Sequence, residues 1–114
     1  TGSAKITKGY RLPCSYVIHT PGPVWYGGCK GEAQALRACY ENALRLAEEY
    51  GCETVAFPSI STGVYRYPLD QAAAIAVDAI ETFLKTARSV RTVTMVCFDD
   101  ATLAAYRTAQ AARA

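Results

Sequence analysis

Residues 57–68 read FPSISTGVYRYP and join a short apolar run, 54–57, to a long segment with apolar residues at helical spacing, 69–87. A small-residue loop between a strand and a helix presents free backbone N–H groups at the positive end of the helix, where phosphate binds well. Gly63 lets the backbone turn sharply and approach a ligand closely, because it has no Cβ. Tyr65 adds a flat face suited to a sugar or a base. The loop therefore predicts a nucleotide-like ligand.

The rest of the chain alternates strand-like and helical patterns around this loop. Strands are predicted over 4–7, 15–19, 54–57 and 92–98, and helices over 32–50, over 69–87 and from Asp99 or Asp100. The almost continuously apolar run 92–98 suggests a strand buried on both faces. This order predicts an α/β fold with a mainly parallel or mixed sheet flanked by helices on both faces. The loop 58–68 and the junction 98–100 both follow strands, so they are predicted to open on the same edge, where ligands bind.

Composition narrows the class of protein. The 114 residues, of which 51% are hydrophobic, suffice for one domain with its own core. The net charge of +2 comes from scattered Lys and Arg residues, which gives no support for a nucleic-acid partner. The five cysteines form no close pair, so free thiols are favoured over a disulfide framework or a zinc site, and a cytoplasmic location is predicted. No apolar run is long enough to span a bilayer.

Three motifs together resemble the macro domain family, in its MacroD-type branch. They are GYRLP at 9–13, YVIHTPGPVW at 16–25 and FPSISTGVY at 57–65. The resemblance runs through nearly the whole chain, in order and at family-like spacing. It implies a three-layer α/β/α fold that binds ADP-ribose. The branch includes bacterial O-acetyl-ADP-ribose deacetylases, and many members hydrolyse ADP-ribose from modified carboxylate side chains.

The resemblance also implies the ligand-binding residues. The diphosphate is held by the backbone amides of a loop formed here by Ser61, Thr62, Gly63, Val64 and Tyr65. Tyr65 then lies against the distal ribose, while Phe98 and Asp99 border the adenine and its ribose. No metal or organic cofactor is implied.

One part of the family pattern has no counterpart in this sequence. Complete domains of this kind begin with strands carrying an acidic residue that reads the adenine, followed by an Asn-Ala-Ala-Asn-like segment and a Gly-rich loop with an Asp. Residues 1–114 are therefore expected to form the C-terminal portion of a macro domain, and no catalytic residue is assigned. The remainder is expected from a longer protein, another chain or a swapped partner. Alone, the chain is expected to self-associate through an exposed edge strand and apolar helix faces.

Several residues have two interpretations. Phe98 is either plain core or an adenine contact, and Asp99 is either a helix cap or a ribose ligand. Arg66 either contacts a phosphate or is a solvated loop-tip charge. For Trp25 and Tyr26, an apolar plug under the loop is favoured over stacking on a base.

The leading functional hypothesis is hydrolysis of an ADP-ribose ester, either O-acetyl-ADP-ribose or a mono-ADP-ribosylated Asp or Glu side chain. Three alternatives remain open: a non-catalytic ADP-ribose-binding module, an RNA-binding macro domain, and an incomplete, inactive fragment.

Overall fold

The computed structural model describes residues 2–9, 16–63 and 65–113. The predictions for Val64 and Cys14, and for most of the motif 9–13, lie outside these residues. The described residues form strands and helices in the order β1 (Lys5–Lys8), β2 (Tyr16–His19), α1 (Glu32–Glu49), β3 (Thr54–Pro58), α2 (Leu69–Leu84), β4 (Thr92–Val96) and α3 (Asp100–Ala111). Each element lies at or close to its predicted position.

The strands form two separate pairs. β1 and β2 are antiparallel, with Lys5 opposite His19. β3 and β4 are parallel, with Thr54 opposite Thr92 and Pro58 opposite Val96. Helix α2 connects β3 to β4, as a parallel pair requires a crossover. The α/β class is confirmed, and the strand directions are mixed.

The three helices pack together and form most of the core. Helix α2 contacts both α1 and α3. Leu36, Tyr40 and Leu44 of α1 are fully buried, and the ring of Tyr40 lies edge-on to Phe57 of β3 at 5.0 Å. The β3–β4 pair is thereby fixed against the helices through the face that carries Phe57.

The other face of β3 and β4 is open within the described residues. Val55 and Phe57 alternate with exposed residues along β3, and Val93 and Met95 do so along β4. The exposed positions are Thr54, Ala56, Pro58, Thr92, Thr94 and Val96. The expectation that the 92–98 strand is buried on both faces is therefore not met in the described chain, because no described helix covers this side.

A large groove separates the two strand pairs. Among the described residues, β2 pairs only with β1 and β3 only with β4, so each strand keeps one edge without a partner. A cavity of about 1160 Å³ lies between them, lined by both strands and by Ala43 and Ala47 of α1. Unpaired strand edges carry rows of unsatisfied N–H and C=O groups, which makes this groove a place where a further strand can add.

In the part of the chain that the structure covers, no helix is both long enough and apolar enough to cross a membrane.

Candidate functional site

The loop after β3 is closed by two backbone hydrogen bonds. Tyr67 N donates to Ser61 O at 2.9 Å, and Arg66 N donates to Gly63 O at 3.0 Å. Among the described residues of the loop, Ser61 (φ 66°) and Arg66 (φ 63°) are left-handed, whereas Gly63 is not. Gly63 lies in the bend and accepts the N–H of Arg66, so the backbone does turn at this position, but without a left-handed φ. Ser61 and Arg66 take the left-handed conformations, although a Cβ makes this region of backbone space unfavourable.

Several backbone N–H groups of the loop are free. Ser61, Thr62, Gly63 and Tyr65 donate to no other group in the described residues. Ile60 differs, because its N–H donates to Tyr40 Oη at 3.2 Å. The loop precedes the N-terminus of α2, whose dipole adds positive potential there. An array of free N–H groups before a helix is suited to binding an anion such as phosphate.

Gly63 leaves space beside these N–H groups. A Cβ added to Gly63 would have no heavy atom within 4 Å. The close approach of a ligand, which is the second reason for a glycine at this position, is therefore sterically possible. Gly22 is the opposite case, because a Cβ there would lie 2.6 Å from Ile60 Cγ2 and closer still to Ser61 Oγ. The turn at Gly22 thus packs directly against the loop.

The parallel register places the two predicted binding loops at one edge. Because Pro58 lies opposite Val96, the loop after β3 and the junction after β4 leave the sheet on the same side, as predicted. Phe98 is 86% exposed, which excludes the interpretation of Phe98 as core. Asp99 caps α3, since its Oδ1 accepts a hydrogen bond from Thr102 N at 2.8 Å. That bond lowers the pKa of Asp99 and confirms the cap interpretation.

The aromatic residues beside the loop divide into two groups. Trp25 is half-buried, packs on Tyr67 with ring centroids 4.7 Å apart, and donates its backbone N–H to Tyr65 O at 2.9 Å. The prediction of an apolar plug is confirmed for Trp25. It is wrong for Tyr26, whose side chain is 66% exposed and whose backbone N–H is bonded to Glu32 in the segment that leads to α1.

Glu32 fixes the segment that leads to α1, and sequence reasoning missed it. The side chain is only 2% exposed, and its carboxylate accepts hydrogen bonds from Tyr26 N at 2.8 Å, Gly28 N at 2.9 Å and Lys30 N at 2.6 Å. The N–H of Tyr26 contributes most to lowering the pKa of Glu32 from 4.5 to about 2. A glutamate in the first turn of a helix, just after the Gly27-Gly28 pair, was the available signal.

Comparison of the sequence with known proteins identifies the family. The profile of the Macro domain family matches residues 1–76. The chain is 56% identical to Macro domain-containing protein CT2219 of Chlorobaculum tepidum, over 98% of this chain and 65% of the relative. It is 50% identical to a protein named O-acetyl-ADP-ribose deacetylase from Klebsiella pneumoniae, over 93% of this chain and 61% of that protein.

Comparison with solved structures gives the same family. A mutant macrodomain of Oceanobacillus iheyensis, solved with ADPR, superposes with a TM-score of 0.92 at 38% identity, over 99% of this chain and 60% of that one. The Trypanosoma brucei macrodomain in complex with ADP gives a TM-score of 0.84 at 35% identity, over 94% of this chain and 44% of that one. This chain thus spans about 65% of the length of the Chlorobaculum tepidum relative and 61% of the length of the Klebsiella pneumoniae relative. On sequence and fold together, the chain belongs to the macro domain family.

Proposed function

We propose that this chain binds ADP-ribose, with the diphosphate on the free backbone N–H groups of the loop after β3. The observation that carries the proposal is that Ser61, Thr62, Gly63 and Tyr65 all keep an unused N–H in the described structure, next to the open space at Gly63. Val64, outside the described residues, joins this set on the family resemblance alone. The macrodomain structures with ADPR and with ADP support the same ligand class.

The remaining ligand contacts are proposed at the carboxyl ends of β3 and β4. Tyr65 is exposed beside the free N–H groups and is proposed to lie against the distal ribose. Phe98 is proposed to contact the adenine, because covering its exposed ring with a flat base would remove a large apolar surface from water. Asp99 already accepts a bond from Thr102, so it is proposed to contact the adenine-side ribose only with its remaining acceptor capacity.

We further propose that the complete protein hydrolyses an ADP-ribose ester, O-acetyl-ADP-ribose or a mono-ADP-ribosylated Asp or Glu side chain. The relative named O-acetyl-ADP-ribose deacetylase supports this activity class. In this chain the loop would hold the distal ribose and orient the scissile bond towards a water molecule, which is a positioning and electrostatic role. The competing candidate is binding without turnover. It is favoured by the absence of any carboxylate or imidazole side chain in residues 57–68.

The groove between β2 and β3 is the part of the structure where a further segment of the domain would fit. We propose that residues 1–114 are the C-terminal portion of one macro domain and that an extended strand from outside this chain fills the groove. Two observations support the proposal. The facing edges of β2 and β3 have no partner in the described residues. About a third of the length of the Chlorobaculum tepidum relative has no counterpart in this chain. The strand would come from a longer protein or from a partner chain, in a cytoplasmic setting consistent with the free thiols of Cys29, Cys39, Cys52 and Cys97.

Calorimetric titration of the chain with ADP-ribose tests the binding proposal. We expect saturable binding of ADP-ribose and much weaker binding of AMP, which shares the adenosine but carries one phosphate. Equal affinity for the two ligands, or no saturable heat with ADP-ribose, would contradict diphosphate recognition by this loop. Incubation with O-acetyl-ADP-ribose, with acetate release as the readout, then separates hydrolysis from binding without turnover.

A further inference from the structure

A chain of hydroxyl groups lies beneath the loop after β3 and connects it to two helices. Tyr106 Oη of α3 lies 2.9 Å from Ser59 Oγ. Tyr40 Oη of α1 accepts the N–H of Ile60 at 3.2 Å and makes a longer contact of 3.4 Å with Tyr106 Oη. Thr62 Oγ1 donates to Ser59, with Ser59 Oγ at 2.9 Å and Ser59 O at 3.2 Å. The hydroxyl chain therefore reaches the loop at three points, Ser59, Ile60 and Thr62.

The two tyrosines are unusual members of the core. Tyr40 is fully buried and Tyr106 is 4% exposed, so their hydroxyl groups must find partners inside the protein. Burial raises the pKa of both phenols, so both stay neutral and can donate as well as accept. One consistent arrangement runs from Ile60 N–H to Tyr40, from Tyr40 to Tyr106, and from Tyr106 to Ser59. Phenylalanine would fill nearly the same space without any of these bonds.

The points of attachment matter because they flank a strained residue. Ile60 immediately precedes Ser61, which holds a left-handed conformation despite having a Cβ. Such a conformation is unfavourable for a residue with a Cβ and persists only where the surroundings over-determine it. The hydroxyl chain contacts Ser59, Ile60 and Thr62, on both sides of Ser61. These contacts lie next to the free N–H groups of Ser61, Thr62 and Gly63.

We infer that Tyr40 and Tyr106 are positioning residues for the anion-binding loop, which they hold through Ser59 and Ile60. This inference rests on the proposed ADP-ribose function for its effect on affinity, although its structural half stands alone. Both side chains are buried beneath the loop, so neither would touch a ligand bound on its N–H groups. Their hydroxyl groups act by keeping the loop in the conformation that presents its N–H groups together.

The test compares Tyr106→Phe and Tyr40→Phe with the wild-type chain and with Tyr50→Phe as a matched control. Tyr50 is exposed, and its ring packs edge-on to Tyr16 away from the hydroxyl chain. The structural readout is NMR-detected hydrogen exchange of the Arg66 and Tyr67 amides. Their hydrogen bonds close the loop and do not involve the side chains of Tyr40 and Tyr106. The functional readout is ADP-ribose affinity by calorimetry. Thermal melting reports global stability in the same samples.

We expect both hydroxyl deletions to speed exchange at Arg66 and Tyr67 relative to amides in α2. We also expect ADP-ribose affinity to fall roughly five- to tenfold, the size of one lost neutral hydrogen bond. Tyr50→Phe should change neither quantity. A lower melting temperature with loop exchange and affinity both unchanged would overturn the inference and leave the tyrosines as ordinary core residues.

Failure of ligand binding and failure of a variant to fold can each be told apart from failure of this inference. If wild-type chain fails to bind ADP-ribose, the proposed function fails, and loop exchange alone then decides whether the tyrosines position the loop. If either phenylalanine variant fails to fold, Ser59→Ala removes the loop end of the hydroxyl chain without changing a core ring. Unchanged exchange at Arg66 and Tyr67 in that variant would overturn the inference, and faster exchange would support it.

Discussion

Gly63 offers a substitution that separates ligand binding from folding. Its added Cβ would meet no heavy atom within 4 Å, and its backbone is not left-handed, so Gly63→Ala is compatible with the free protein. Gly51 gives the reverse case. An added Cβ there also meets nothing within 4 Å, but its φ of 71° disfavours alanine. The two variants add the same methyl group to the same chain, one inside the proposed site and one outside it.

The expected changes in stability and in ADP-ribose affinity depend on the surroundings of these two glycines. Gly63→Ala should raise stability by about 0.4–1 kcal/mol, because alanine reduces the conformational entropy of the unfolded chain. Gly51→Ala should lower it by about 1–2 kcal/mol, the cost of a left-handed L-residue. If the diphosphate occupies the space at Gly63, the methyl group displaces it from one or more N–H donors. Losing one hydrogen bond to a charged group should weaken ADP-ribose binding roughly ten- to a hundredfold.

Urea denaturation and ADP-ribose calorimetry on the two variants measure both quantities. We expect Gly63→Ala to be stable and binding-deficient, and Gly51→Ala to be destabilised with normal affinity. Gly63→Glu extends the series, because its bulk and negative charge should abolish binding. Wild-type affinity in both Gly63 variants would refute the assignment of the diphosphate to this loop.

Single features of the structure give three other predictions. The lowered pKa of Glu32 means that its contribution to stability is complete above pH 4.5 and is lost as the pH falls towards about 2. The difference in melting temperature between wild type and Glu32→Gln should therefore shrink across that range, and a constant difference would contradict this role of Glu32. Arg66→Gly should raise the denaturation midpoint, with a gain of about 0.5–1 kcal/mol from relief of its left-handed strain, whereas Arg66→Ala keeps the strain and should show no such gain. The open groove between β2 and β3 should make the isolated chain self-associate, so light scattering should give a mass above 12.3 kDa that rises with concentration, and a compact monomer with cooperative melting would rule this out.

The local sequence pattern was sufficient to predict the strands, the helices and the loop between β3 and α2. Helical spacing located α1 and α2, and β3 and β4 were predicted from short apolar runs next to turn residues. The small-residue segment 59–63 carried the prediction of free N–H groups, and the structure leaves most of them free. These features depend on neighbours in sequence, and local patterns report such neighbours well.

Features that depend on backbone direction or on distant residues were not predictable in the same way. Glu32 accepts hydrogen bonds from three backbone N–H groups close to it in sequence, and the direction of those groups cannot be read from residue types. The contact between Tyr106 and Ser59 joins residues 47 positions apart. The glycine at position 63 indicates where the backbone can turn, but residue types do not indicate that Ser61 and Arg66 take the left-handed conformations of the loop. The split of the described strands into two pairs was likewise not predicted, because strand partners are set by contacts between distant segments.

An ¹⁵N NMR titration of the chain with ADP-ribose tests the central claim most directly, because it observes the proposed donors one by one. We predict saturable shifts of the backbone N–H signals of Ser61, Thr62, Gly63 and Tyr65, with Ile60 less affected since Tyr40 already accepts its N–H. Saturation of the protein by ADP-ribose with these four signals unmoved would contradict diphosphate binding at this loop.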